Sequence, residues 1–238
     1  MAKKGFLVLV IAALAAGGIF AQTDMANNTI TVDIGPTLIG LGISQIGNLI
    51  SDENGISTSG FGIAAQYERQ ISRPLSVAGR FAYLGGGMGL VESDTSVDMD
   101  LKSFSLEGHV RFYPFGETFF LNGMLGYGYL SSAISGTVDM LVGPNQRVSF
   151  TGTRSYVKYG AKLGWRMSFG RQGGGFTFEP SIGYYGGIGL GDTLGDQLMD
   201  EVGGSPADMQ EFNDMFKILE NYIFIGGPRV SLSFGWRF

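Results

Sequence analysis

The chain has no cysteine, a single histidine, and no long apolar run after residue 20. Each gap removes a class of protein. Without cysteine, neither a disulfide framework nor a cysteine-linked lipid can be built from these residues. One histidine excludes His-rich metal sites and the HExxH arrangement. No segment beyond residue 20 is apolar enough to cross a bilayer as a helix. Charge is also scarce, at 16% of residues against the usual rough quarter. The basic residues are neither clustered nor exposed enough for nucleic acid. No serine sits in a recognisable nucleophile motif. The run Gly85-Gly86-Gly87-Met88-Gly89 completes no dinucleotide fingerprint, and Asp98-Met99-Asp100 reads as a solvated loop rather than a calcium site. No cofactor and no metal is expected, and the chain is not read as an enzyme.

What is present is glycine, 40 residues of it, and 13% aromatics. Much of the sequence alternates with period two, the mark of strands with two different faces. From Val230 to Phe238, Val230, Leu232, Phe234, Trp236 and Phe238 share one face. Ser231, Ser233, Gly235 and Arg237, with Arg229 just before, share the other. The same split recurs upstream. Phe61, Ile63, Ala65 and Tyr67 oppose Gln66 and Glu68; Leu75, Val77, Phe81 and Tyr83 oppose Ala78, Arg80 and Ala82. Phe104, Leu106, Val110 and Phe112 oppose Glu107, His109 and Arg111. Phe119, Leu121, Leu125, Tyr127 and Tyr129 oppose Asn122, Met124, Gly126 and Gly128. Val157, Tyr159, Leu163, Trp165 and Met167 oppose Lys158, Lys162, Gly164 and Arg166. Phe176, Phe178, Ile182 and Tyr184 oppose Thr177, Glu179 and Ser181. With a first strand from Thr29 to about Ile43, carrying Asp33 on its polar face, eight strands are predicted.

A soluble β-sandwich would need a polar outer face, which these aromatic faces contradict. A greasy outside around a charged inside fits a membrane barrel, and an even count removes the unpaired edges that lipid would not tolerate. Glycine then serves crowded inward positions. The fold expected is all-β, an eight-stranded antiparallel transmembrane up-and-down β-barrel. A short helix is added in the last external loop, where Ser205 caps a stripe of Met209, Phe212, Phe216 and Leu219.

The terminal strand resembles the C-terminal recognition strand of bacterial outer-membrane β-barrels, and the whole pattern is similar to the OmpA, OmpX and OmpW-like group. The resemblance implies an outer-membrane protein. Val230, Leu232, Phe234, Trp236 and Phe238 then act as an assembly signal read by the barrel-assembly machinery. At the other end, Met1-Ala2-Lys3-Lys4 precedes an apolar run from Gly5 to Phe20. That layout is a cleavable secretory signal over 1–21, leaving 22–238 as the barrel. Short connections after strands two, four and six, and long ones after one, three, five and seven, put both termini in the periplasm.

Most acidic residues fall in the proposed outer loops, among them Asp52, Glu53, Glu92, Asp98, Asp100, Asp139, Asp192 and Glu211, a surface for an extracellular partner. The inward charges are Asp33, Glu68, Arg80, Glu107, His109, Arg111, Lys158, Lys162, Arg166, Glu179 and Arg229. Of these, Arg80, Glu107, His109, Arg166, Glu179 and Arg229 count to a similar depth. An eight-stranded barrel is just wide enough to be filled by side chains, so these charges read as a plug of ion pairs in a structural or surface-interaction protein. The alternatives are a narrow porin-like or OmpW-like channel for small solutes and, more remotely, a lipid-modifying enzyme of the outer membrane.

Overall fold

The computed structural model describes residues 28–34, 56–92, 95–116, 118–140, 143–170, 174–197 and 227–238. The predicted signal, the rest of the first strand and the helix predicted from Ser205 lie outside them. Nine strand segments form one antiparallel sheet: β1 Asn28–Asp33, β2 Ile56–Ser72, β3 Leu75–Glu92, β4 Thr95–Phe112, β5 Phe119–Met140, β6 Gly143–Trp165, β7 Met167–Phe169, β8 Gly175–Leu190 and β9 Gly227–Arg237. Neighbours follow chain order from β1 to β6. Then β6 pairs β8, β8 pairs β9 and β9 pairs β1, so the sheet closes. β6 and β7 keep one register against β8, as in Leu163↔Ile182 and Met167↔Phe178, and make a single stave interrupted at Arg166. The ring therefore has eight staves.

The alternation of the sequence is what builds this wall. Along β4, Ser103, Ser105, Glu107, His109 and Arg111 are buried, while Phe104, Leu106, Val110 and Phe112 are exposed. Buried here means facing the interior of the ring, and exposed means facing out. Closure lets the strands pair their backbone groups with one another, while the alternation gives the wall lipid-facing aromatics and a polar inside.

The stagger fixes the diameter. Stepping through partners from Thr29 leads to Glu68, Ala78, His109, Met124, Gly160, Tyr185 and then Gly227, whereas Thr29 itself pairs with Arg237. The row returns ten residues away from where it began. Eight staves with that shear tilt by about 40° and leave a backbone radius of about 8 Å. Hydrogen-bonded partners are therefore not level. Each step around the ring climbs about one and a quarter residues along the axis.

The strands depart from the sequence expectation at one end. The connections after β3 and β5 are not long loops. β3 runs to Glu92 and β4 begins at Thr95, so Gly85 to Gly89 lie in a strand. β5 and β6 pair as far as Met140↔Gly143, so their hairpin extends through Gly143-Pro144-Asn145. Asp98, Asp100 and Asp139 are likewise strand residues. Both faces of these extensions are tolerable to a strand, so period two does not say where lipid stops. At the opposite end the connections are tight, with Ser72 pairing Leu75. Gly116 there takes a φ of 81°, a left-handed turn conformation that suits glycine. Residues 194–197 form one helical turn after β8.

Candidate functional site

The inward charges gather in the half of the barrel next to the tight turns, and the stagger sorts them into two layers. The depth count that placed Arg80, Glu107, His109, Arg166, Glu179 and Arg229 together ignored the climb of the pairing row. Arg166 and Glu179 in fact share a layer with Glu68 and Arg111, while Arg80 and Glu107 share one with Asp33.

The layer nearer the tight turns is a four-membered ring of charge. Arg111 Nη1 donates to Glu68 at 2.6 Å and to Glu179 at 2.9 Å. Arg166 Nη2 donates to Glu68 and its Nε to Glu179, each at 2.6 Å. Glu68 also accepts from Ser76 and from the Tyr113 hydroxyl, both at 2.7 Å. Tyr113 sits in the turn after β4. Burial pushes its hydroxyl up to about 12, so it remains a donor. Each guanidinium group also lies over the face of a ring: Arg111 is 4.5 Å from the Phe120 centroid and Arg166 5.3 Å from that of Tyr113. Neither ring was singled out in the sequence. Phe120 is an aromatic at inward parity in the run Phe119-Phe120-Leu121, which breaks the alternation and could have flagged it, whereas Tyr113 looked only like part of a turn.

The second layer centres on Glu107. It accepts from Arg80 at 2.7 Å, Lys158 at 2.6 Å and Ser105 at 2.8 Å, and His109 Nε2 is 3.1 Å away. Arg80 reaches on to Asp33 at 2.9 Å. Lys158 and Arg229 both lie over the Tyr185 ring, at 5.0 and 5.5 Å. His109 Nδ1 faces the Asn122 amide. The order Ser105, Glu107, His109 puts the carboxylate between hydroxyl and imidazole, so the imidazole is not placed to take the serine proton, as acyl-transfer chemistry would require.

Glycine makes this crowding possible. A Cβ on Gly126 would stand 2.9 Å from Glu107 Cγ, and one on Gly183 would stand 2.5 Å from Lys162 Cβ. One on Gly128 would overlap the Tyr156 ring. Lys162 is buried and, by the same stagger, level with Asp33, Arg80 and His109, although among the described residues no carboxylate oxygen lies within 4.0 Å of its amine.

Beyond these layers the interior turns apolar, which the sequence reading missed. Met99, Leu101, Leu130, Ile134 and Phe150 are buried inside the extended strands, and Leu194 of the helical turn is buried with them. Gln197 fastens that turn. Its amide donates to Thr153 O at 2.8 Å and its carbonyl accepts from Thr153 N–H at 3.2 Å, imitating a neighbouring strand. The alternation of β5 and β6 carried this signal, since Leu130, Ile134 and Phe150 have inward parity.

A closed ring of eight antiparallel staves, apolar outside and charged within, defines a small transmembrane β-barrel of the outer-membrane type. Neither a protein-family model nor a curated protein sequence matches the chain. Among solved structures it is similar to Ail, the attachment invasion locus protein of Yersinia pestis, in complex with the heparin analogue sucrose octasulfate. That match has 16% identity and a TM-score of 0.45 over 90% of this chain and 99% of Ail. A major outer membrane protein from Thermus thermophilus is similar at 12% identity and a TM-score of 0.42, covering 90% of this chain and 99% of that one. The translocator domain of the autotransporter NalP from Neisseria meningitidis is similar at 13% identity and a TM-score of 0.34, over 81% and 62%.

Proposed function

We propose that this is an integral protein of a bacterial outer membrane whose interior is plugged, serving a structural or surface-interaction role. The observation that carries the reading is the pair of carboxylate-centred layers, which bridge β1 through β4 to β6 and β8 across a barrel of about 8 Å backbone radius. A bore so crossed has little room for a solute. The apolar section around Leu194 is a second obstruction in series.

On this reading 1–21 is the cleaved signal, the C-terminal strand addresses the barrel-assembly machinery, and both termini are periplasmic. The tight turns support that orientation, because barrels of this class keep short turns on the periplasmic side. The strand extensions then stand outside the cell. They present Asp98 and Asp100 outward, a surface suited to a cationic partner. Refolded protein in a planar bilayer tests the plug. Silence is expected. Steady conductance from the unmutated protein, unchanged in Glu107→Ala and Arg166→Ala, would promote the porin-like alternative.

A further inference from the structure

Next to the tight turns the outer wall carries a belt of aromatics with one charge set into it. Allowing for the stagger, Phe112, Phe119, Trp165 and Trp236 point outward at one level on β4, β5, β6 and β9. The same level on β2 holds Arg69, whose strand partners are Val77 on β3 and Asn28 on β1. Aromatic belts of this kind mark the boundary between hydrocarbon and head groups. An arginine in the belt lays its stem on apolar neighbours and lifts its guanidinium into the head-group layer. Tyr67, Ile63 and Val77, outward on the membrane side of Arg69, supply that apolar surface.

Two further arginines stand beside it. Arg73 is exposed in the turn between Ser72 and Leu75. Gln70 ties that turn to the end of β9: its amide donates to Arg73 O at 3.2 Å, and its carbonyl accepts from Arg237 Nη2 at 3.2 Å. Arg69, Arg73 and Arg237 therefore share one sector of the rim, over β9, β1 and β2. Among the described residues no carboxylate side chain is exposed at this end, since Glu68 and Glu179 are buried in the charged ring. The carboxylate of Phe238, which accepts from Asn28 N–H at 2.9 Å, is one anion against three cations. At the opposite end the sign reverses, with Asp98, Asp100, Asp192 and Asp196 against Lys102.

We propose that Arg69, Arg73 and Arg237 form a head-group site for an anionic glycerophospholipid, in the leaflet on the side of the tight turns. The phosphodiester accepts charge-assisted hydrogen bonds from the guanidinium groups, and the acyl chains lie along Tyr67, Ile63 and Val77. A soluble phosphate would use the charges alone, whereas the apolar surface beside them fits a phosphate that carries chains. The site rests on the reading of the ring as a membrane barrel, but not on which compartment that leaflet faces.

The test uses the full chain refolded into phosphatidylcholine vesicles, with and without phosphatidylglycerol of the same chain length. Insertion is checked first by heat-modifiable gel mobility, so a barrel that inserts without lipid preference refutes the site alone. The chain has a net charge of -5, so a nonspecific field from anionic lipid opposes the expected gain and cannot mimic it. Each arginine near an anionic surface is worth roughly fivefold in an equilibrium. Phosphatidylglycerol should therefore shift urea unfolding toward the folded state by about fivefold or more. The gain should vanish in Arg69→Gln/Arg73→Gln and persist in Arg69→Lys/Arg73→Lys and in Asp98→Asn/Asp100→Asn. Arg73→Gln alone, at an exposed turn, should lose part of the gain and keeps the test valid if the double glutamine variant does not refold. Equal stability of the parent in both vesicles would overturn the site, as would a gain that survives in the glutamine variants. An equal gain from soluble glycerol phosphate in phosphatidylcholine vesicles would overturn the lipid as its source.

Discussion

Removing the Glu107 carboxylate is the sharpest perturbation of the upper charged layer. Glu107→Ala takes the acceptor from Lys158, Arg80, Ser105 and His109 at once. Arg80 keeps Asp33 at 2.9 Å, but among the described residues Lys158 is left with the face of Tyr185. Breaking one side of a buried pair costs about 3–5 kcal/mol, because the remaining charge stays out of water. Replacing both members by apolar groups is close to neutral by the same reasoning. The double variant Glu107→Leu/Lys158→Met should therefore recover much of the loss. A residue of about 1–3 kcal/mol remains, since Ser105 and His109 still lack their acceptor. Urea unfolding in vesicles can follow this through Trp165 and Trp236, the two tryptophans of the chain. They are 44% and 59% exposed on the outer wall and thus report contact with lipid. A loss below about 1 kcal/mol in Glu107→Ala would mean that water screens the interior. Strict additivity in the double variant would mean that the Lys158 pair is not the source of the cost.

The outer wall makes its own prediction: Leu163→Arg, on the lipid face of β6, should cost roughly 2–4 kcal/mol in the same assay, and an unchanged midpoint would refute the assigned face. Gly128→Ala should displace the Tyr156 ring and cost about 1–3 kcal/mol, whereas Gly128→Ala in a Tyr156→Ala background should be nearly silent. Phe238 exchanges two backbone hydrogen bonds of 2.9 Å with Asn28 at the β9–β1 seam. Its deletion should leave export intact but lower the folded, heat-modifiable fraction on gels; normal yield would count against the recognition-strand reading.

The wall was readable from the chain because lipid and interior impose opposite chemistry on alternate residues. Phe104 to Phe112 and Val157 to Trp165 state their phase without help from the rest of the fold. The inward parity of Glu68, Glu107, Arg111 and Arg166 followed at once. What could not be read was which carboxylate meets which cation. That depends on the shear, a property of the closed ring that no single strand encodes. Arg111 and Glu179 are far apart in sequence and meet only because the row climbs as it goes round. The length of the strands was also hidden. Ser131 to Thr137 and Ser149 to Thr153 are small and polar outside the apolar band, a composition as suited to loop as to strand. Tyr113 escaped notice because a turn residue has no face until its neighbours are built.

The seam between β1 and β9 sets a constraint on the order of events. Most other pairings join consecutive strands, several through connections of only a few residues, and can zip up as they emerge. β1 and β9 come from opposite ends of the described chain. The entropy of closing so long a loop grows only slowly with its length, so the seam is affordable at equilibrium. Kinetically it must wait, because non-local pairing is slow and cannot begin before β9 exists. Until then β1 and β9 each offer a free edge of unpaired N–H and C=O groups at membrane depth. A chain permuted to begin at the β3–β4 hairpin, with its old ends joined, would move those edges to β3 and β4 and carry the last step of assembly with them.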